Sequence, residues 1–310
     1  MGTSFLRPIE QVHPCHQEFS AGFKLIEKGD FPGGLAALRS ARAGWLDRPV
    51  RLVRAARHYE GLVQLLVRQT VLSAQAEVQV DLSSVVRRPE LGREVRVRCP
   101  ARLDLSGGWT DTPPICYELG GKVVDLAITL DGDKPIGCKV RRVEEPHVEI
   151  LLDDGELIFV KTRSDLDNHC SPTAKGALVK CCLLAAGVLE LDSGDTVAAQ
   201  LVSRVGAGLR LELWSALPQG SGLGTSSILA GAVVAACWAA VGCSWSRRSV
   251  VHAVLVVEQL LTTGGGWQDQ VGGLYPGVQL GTSPANHQVN YSTLMNIVLT
   301  YLLLLCRYFP

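Results

Sequence analysis

The 310 residues suffice for one large domain or two smaller ones, and a 47% hydrophobic composition is ample for a buried core. The 30 Lys and Arg residues balance 30 Asp and Glu, so the net charge is zero and the basic footprint of a nucleic-acid binder is excluded. The 10 cysteines contain no Cys-x-x-Cys and mostly sit in apolar runs, which reads as reduced thiols acting as small hydrophobes.

In chain order, the start Met-Gly-Thr-Ser-Phe-Leu lacks the apolar core of a signal peptide, and Leu6 stands where a myristoylation motif wants Ser or Thr. A cytoplasmic address is expected. His13 and His16 have a spacing that would let them share a metal, but no second ligand pair accompanies them, and they read as exposed histidines. Residues 9–80 are rich in Ala, Leu, Arg and Gln at helical spacing, and glycines and prolines at 29–34 and 44–49 divide them into about three helices. Pro32 and Pro49 suit first-turn positions. Arg48, Arg51, Arg54 and Arg57 recur every third residue and read as a solvated helix face.

Around residues 83–93 the composition turns polar, and a linker is expected there. Residues 94–99 and 135–143 alternate charged with apolar side chains, and 121–130 are a β-branched run, all reading as strands. Residues 173–189 read as a helix, 197–202 and 209–214 as strands, and 226–241 and 247–261 as helices. This is α+β order. The chain ends in an apolar block from Met295 to Cys306, shorter than the roughly 18 to 20 residues needed to span a bilayer. A buried helix or a disordered apolar tail is expected, not a membrane anchor.

Residues 217–228 read Leu-Pro-Gln-Gly-Ser-Gly-Leu-Gly-Thr-Ser-Ser-Ile, between a strand and a long apolar helix. Gly220, Gly222 and Gly224 would let backbone N–H groups approach an anion at the positive end of that helix, although the lysine of a Walker loop is missing. By itself the run serves equally as a turn with a Ser N-cap.

Two further segments separate these readings. The pattern from Pro218 through Ser227 resembles the second motif of the GHMP small-molecule kinases. Pro100-Ala-Arg-Leu-Asp-Leu-Ser-Gly-Gly-Trp-Thr-Asp111 is similar to that superfamily's first motif, and its ending through Thr112-Pro-Pro resembles the L-fucose kinase branch. Gly264-Gly-Gly-Trp-Gln-Asp-Gln-Val-Gly-Gly273 resembles the segment carrying the catalytic aspartate. These motifs stand in family order over about 170 residues, which is far more specific than any one of them.

The resemblance implies an ATP-dependent sugar kinase using Mg2+ and making L-fucose 1-phosphate from L-fucose. A heptose or galactose kinase is the nearest alternative, and a catalytically silent nucleotide- or partner-binding fragment the other. It implies a GHMP N-terminal domain, ribosomal S5 domain 2-like, over 93–282, preceded by a helical linker segment over 1–92 and followed by a divergent apolar tail over 283–310. The resemblance covers about 10–282, so the chain is expected to be truncated at both ends, without the C-terminal GHMP domain. Pro218, Gly220, Ser221, Gly222, Leu223, Gly224, Thr225, Ser226 and Ser227 would cradle the nucleotide phosphates. Ser226, with Thr225 as the competing choice, would supply a hydroxyl to Mg2+, and Glu258 a carboxylate. Glu258 lies in an almost wholly apolar helix, where a carboxylate needs a partner. Asp269 would accept or orient the sugar hydroxyl proton, and Arg102 would stabilise the transferring phosphoryl or act on Asp269 by proximity. Asp111 would hydrogen-bond sugar hydroxyls, with Gly108, Trp109 and Asp104 beside it. No nucleic acid and no membrane are expected as partners.

Overall fold

The computed structural model describes residues 17–45 and 80–285, apart from 114, 172, 219, 262 and 263, together with parts of 49–71 and the pair 300–301. The chain divides into two compact units, Met1–Thr70 and Val71–Pro310.

In the first unit, α1 (Gln17–Glu27) and α2 (Phe31–Ala43) are followed by further helical residues between 49 and 71. This agrees with the helical reading of the segment. Asp30 begins α2 by accepting the Gly33 N–H at 3.0 Å, with Pro32 in the first turn where a missing donor costs nothing. The two helices touch closely: a Cβ on Gly22 would lie 2.6 Å from the Leu38 Cγ. Phe19, Phe23, Ile26, Leu38, Trp45, Leu62 and Leu65 form the core, and the His58 ring stacks on Phe19 with centroids 4.1 Å apart. Of the arginine stripe only Arg51 is described, its guanidinium 5.8 Å from the Trp45 ring centroid. His13 and His16 lie outside the described residues.

The second unit contains two sheets. In chain order its elements are β1 (Glu94–Cys99), β2 (Ala101–Ser106), α3 (Ile115–Glu118), β3 (Gly121–Ile128), β4 (Ile136–Val143), β5 (Val148–Leu151) and β6 (Leu157–Val160). Then come α4 (Ala177–Ala185), α5 (Val197–Arg204), β7 (Gly208–Ser215), α6 (Thr225–Val241), α7 (Arg247–Leu260), α8 (Gln268–Leu274), β8 (Val278–Ser283) and β9 (Thr300–Tyr301). One sheet runs β1-β4-β7-β5-β6, with only β5 and β7 parallel; the other runs β2-β3-β8-β9 and is antiparallel. Pro100 separates β1 from β2, and the chain passes from the first sheet to the second there, as suits a residue without a ladder donor.

Helix α6 is apolar on every side and correspondingly buried, packing on β1 and β4 and against α4, α7 and α8. It stops at Gly242, left-handed at φ +86°, whose N–H bonds the Trp238 carbonyl. Ser246 caps α7 by accepting the Ser249 N–H. Helix α8 lies on β2, β3 and β8.

The strand expected at 197–202 is a helix. Thr196 caps it by accepting the Ala199 N–H at 3.2 Å, and Val197 and Leu201, one helical turn apart, are its buried apolar side chains. Capping and four-residue spacing outweigh the β-propensity of its valines. The helix expected over 173–189 is confined to α4, because Gly176 is left-handed at φ +73° and the helix ends at Ala186. The expected linker has no regular ladder, yet it is fastened to the second unit. Val86 N–H bonds the Gly242 carbonyl at 2.9 Å, Arg88 donates to the Val241 and Arg204 carbonyls, and Arg142 donates to Pro89. The eight described cysteines are free, and all but Cys170 are buried. No helix among the described residues is long and apolar enough to cross a membrane.

Candidate functional site

Strand β7 delivers the chain to the glycine-rich loop, and α6 leaves it. Gly220, Gly222 and Gly224 have φ of +72°, +71° and +71°, the left-handed region that glycine enters without a Cβ penalty. Gly224 is the N-cap of α6. The first turn of α6 carries no acidic side chain of its own, and the positive end of its dipole favours an anion there. Ser221, Gly222 and Ser226 are exposed, and Leu223 is half-buried. The Thr225 Oγ1 is buried without a hydrogen-bond partner among the described residues.

Glu258 projects from α7 and is 6% exposed. Its Oε1 accepts a 2.7 Å hydrogen bond from the Ser227 Oγ. The structure therefore joins Glu258 to Ser227, the residue after the expected Ser226. Position on the helix explains it: Ser227 is on the buried face of α6, whereas Ser226 faces out. On its far side the carboxylate meets the triglycine segment, where a Cβ on Gly265 would stand 3.2 Å from Oε2.

The triglycine segment leads into α8, which carries Asp269. The Asp269 Oδ1 accepts from Nη2 of Arg102, which comes from β2 and is 6% exposed. Asp269 also touches the glycine-rich loop: a Cβ placed on Gly224 would lie 3.0 Å from the Asp269 Cβ and Cγ. The expected catalytic pair and the expected phosphate cradle are thus in contact.

The other arm of Arg102 faces a residue that no motif indicates. Nη1 is 3.6 Å from Oδ1 of Asp125 on β3, a carboxylate 1% exposed. Burial pushes this carboxyl up to about 7, with Arg102 opposing and the charges of Asp104, Asp269 and Asp111 adding to the rise. A sequence signal existed: Asp125 is a lone carboxylate in the β-branched run 121–130, the same anomaly that singles out Glu258.

Asp111 is 1% exposed, and its Oδ2 accepts the Gln268 N–H at 2.8 Å at the start of α8. Burial raises its proton affinity, against that hydrogen bond. Its Oδ1 is buried without a hydrogen-bond partner among the described residues. Asp111 therefore ties the first motif to the Asp269 helix. Trp109, left-handed at φ +71°, is 76% exposed, and its backbone N–H donates to the Gln268 Oε1 at 3.3 Å. The carboxylate of Asp104 sits directly against Gly108, and Asp104 is otherwise exposed.

Residues 190–277 match the GHMP kinases N terminal domain. The chain is 41% identical over 186 residues to an L-fucokinase/L-fucose-1-P guanylyltransferase of Bacteroides fragilis, covering 59% of this chain and 20% of that one. It is 38% identical over 191 residues to a bifunctional fucokinase/GDP-fucose pyrophosphorylase of Arabidopsis thaliana, covering 62% and 17%. The matches thus span no more than a fifth of these relatives' lengths. Among solved structures, a D-glycero-D-manno-heptose 1-phosphate kinase from Bacteroides thetaiotaomicron is 19% identical with a TM-score of 0.47, over 62% of this chain and 56% of that one. Residues 190–277 of the second unit are thus similar to the GHMP kinases N terminal domain, and the chain is similar over about 60% of its length to part of two fucokinase-containing bifunctional proteins.

Proposed function

We propose that the chain carries the nucleotide-binding part of an ATP-dependent sugar kinase that phosphorylates the anomeric hydroxyl of L-fucose to L-fucose 1-phosphate. The observation that carries this reading is the contact of Asp269, held by Arg102, with Gly224 at the start of α6. It sets a proton acceptor beside an anion-binding helix end, the two parts phosphoryl transfer to an alcohol requires.

In this reading the loop from Pro218 to Ser227 and the α6 N-terminus bind the phosphates. The sugar O–H proton passes to Asp269 as the O–P bond forms and the bond from the γ-phosphorus to ADP breaks. Arg102 keeps Asp269 in place and lends positive charge to that region. Glu258 is assigned to Mg2+ together with Ser226, or with Thr225 as the competing hydroxyl, since Glu258 itself is bonded by Ser227; when bound the ion would supply charge neutralisation between the phosphates. Asp111 through its unpartnered Oδ1, with Gly108 and Trp109, is assigned to the sugar.

The same reading treats residues 1–92 as the helical segment, 93–282 as the kinase domain and 283–310 as a tail. It places the chain in the cytoplasm, where its cysteines stay thiols, with ATP and a small sugar as ligands and neither nucleic acid nor membrane as partner. The test is phosphate transfer from ATP to L-fucose, D-galactose and heptoses. Preference for L-fucose is expected, and preference for another sugar overturns the assignment. Absence of Mg-ATP binding at millimolar ligand would instead favour a catalytically silent fragment, whereas micromolar binding supports a competent half-site.

A further inference from the structure

We infer that Asp125 is a positioning residue for the candidate base: it shares the Arg102 guanidinium with Asp269, and its charge state sets how much of that guanidinium Asp269 holds. The geometry is a bridge. Nη2 of Arg102 bonds Asp269 on α8, and Nη1 points to Asp125 on β3, 3.6 Å away. Both supports are rigid. Asp125 sits mid-strand, opposite Asp104 on β2 and Gln279 on β8, and α8 comes so close that a Cβ on Gly272 would stand 2.7 Å from the Asp125 Cβ.

The charge balance of the pocket is uneven. Asp125 is faced by Arg102 and Asp104 from β2, Asp111 from the following turn, Asp269 from α8, and the uncharged Gln279 from β8. One cation meets four carboxylates, and a buried carboxylate without full compensation takes a proton instead of remaining charged. Asp125 is far more enclosed than Asp269, with side chains 1% and 28% exposed. Its distance to Nη1 also exceeds that of a charge-assisted hydrogen bond. Asp125 is therefore the carboxyl that keeps the proton, and its rise to about 7 agrees. Protonated, it leaves the guanidinium to Asp269. Ionised, it draws Arg102 towards β3 and loosens Asp269.

The catalytic meaning rests on the kinase reading, but the coupling itself is measurable without turnover. The full chain is labelled with 13C at the aspartate carboxyls, and the Asp269 signal is identified by its loss in Asp269→Asn. In the unsubstituted chain that signal should shift with an inflection near pH 7, the value to which Asp125 is raised, and Asp125→Asn should abolish this inflection. Absence of the inflection in the unsubstituted chain, or its survival in Asp125→Asn or Asp125→Ser, overturns the inference. If Asp125→Asn does not fold, Asp125→Ser takes its place, and absence of the inflection in the unsubstituted chain overturns the inference on its own. Where sugar is phosphorylated, Asp125→Asn should flatten the dependence of kcat on pH around neutrality and leave the KM for sugar unchanged. If no sugar is phosphorylated yet the inflection vanishes in Asp125→Asn, the kinase reading fails and the Asp125 inference stands.

Discussion

The Ser227 hydroxyl on the first turn of α6 donates a 2.7 Å hydrogen bond to Glu258 on α7, tying the helix that opens from the glycine-rich loop to a nearly buried carboxylate. Ser227→Ala removes a hydroxyl donor from a nearly buried carboxylate, which costs about 1 to 3 kcal/mol. Ser226, one residue earlier, is exposed, and Ser226→Ala should change stability by less than about 0.5 kcal/mol. Denaturant midpoints of the two variants should separate in that order. Mg-ATP titration of the same pair tests the metal assignment: Ser226→Ala should weaken binding at near-native stability, and unchanged affinity would remove Ser226 from the metal site.

Asp269→Asn keeps the shape of the side chain and removes its capacity to take a proton. In a context that turns over, the rate should fall roughly 100- to 10,000-fold, the range for loss of a general base, with Mg-ATP affinity nearly intact. An affinity loss as large as the rate loss would make Asp269 a nucleotide or metal ligand.

Gly222 and Gly224 share a left-handed backbone but differ in surroundings. Nothing lies within 4 Å of a Cβ on Gly222, whereas one on Gly224 meets Asp269 at 3.0 Å. Gly222→Val therefore costs the fold only backbone strain, about 1 to 2 kcal/mol, while its branched side chain blocks approach of an anion to the loop. Calorimetry should find a folded chain without Mg-ATP binding; retained binding would show the loop to be a turn and nothing more. Gly224→Ala should lower turnover as well, because its new methyl displaces Asp269.

Long elements were legible because their patterns are long. The apolar run of α6, the capped α7 and the alternating β1 and β4 lie where residue patterning places them. Strand β2, Ala-Arg-Leu-Asp-Leu-Ser, alternates but is only six residues long, and β5 and β6 have only four residues each, too short for a distinct pattern. Helix α8 was hidden by the three glycines before it and the two within it, which read as a sharp bend. In the site, Arg102, Asp269 and the loop are indicated by the resemblance to the GHMP kinase motifs. Asp125 belongs to no motif, and only the pairing of β2 with β3 brings it beneath Arg102. Asp111 was read as a sugar ligand, while its hydrogen bond to Gln268 depends on a turn that spacing does not reveal.

Two buried groups should make stability depend on pH in opposite senses. His252 on α7 is 5% exposed, neither ring nitrogen has a hydrogen-bond partner among the described residues, and burial, aided by Arg248, lowers it from 6.5 to about 4. Its folded value is depressed, so the unfolded chain binds the proton first, and the stability His252 contributes is present above pH 6.5 and lost as pH falls towards 4. The shift sets a ceiling of about 3 kcal/mol on that loss. Asp125 runs the other way. Its folded value, about 7, lies above its ordinary 3.8, so its contribution is full below 3.8 and disappears as pH rises through 7. Between pH 7 and 4 the two therefore offset one another in the unsubstituted chain, and single substitutions should expose them. Denaturant midpoints measured across this range should fall less steeply towards acid in His252→Leu than in the unsubstituted chain, and more steeply in Asp125→Asn. Equal slopes in all three chains would mean that neither group titrates differently on folding, which would require water to reach both sites despite their burial.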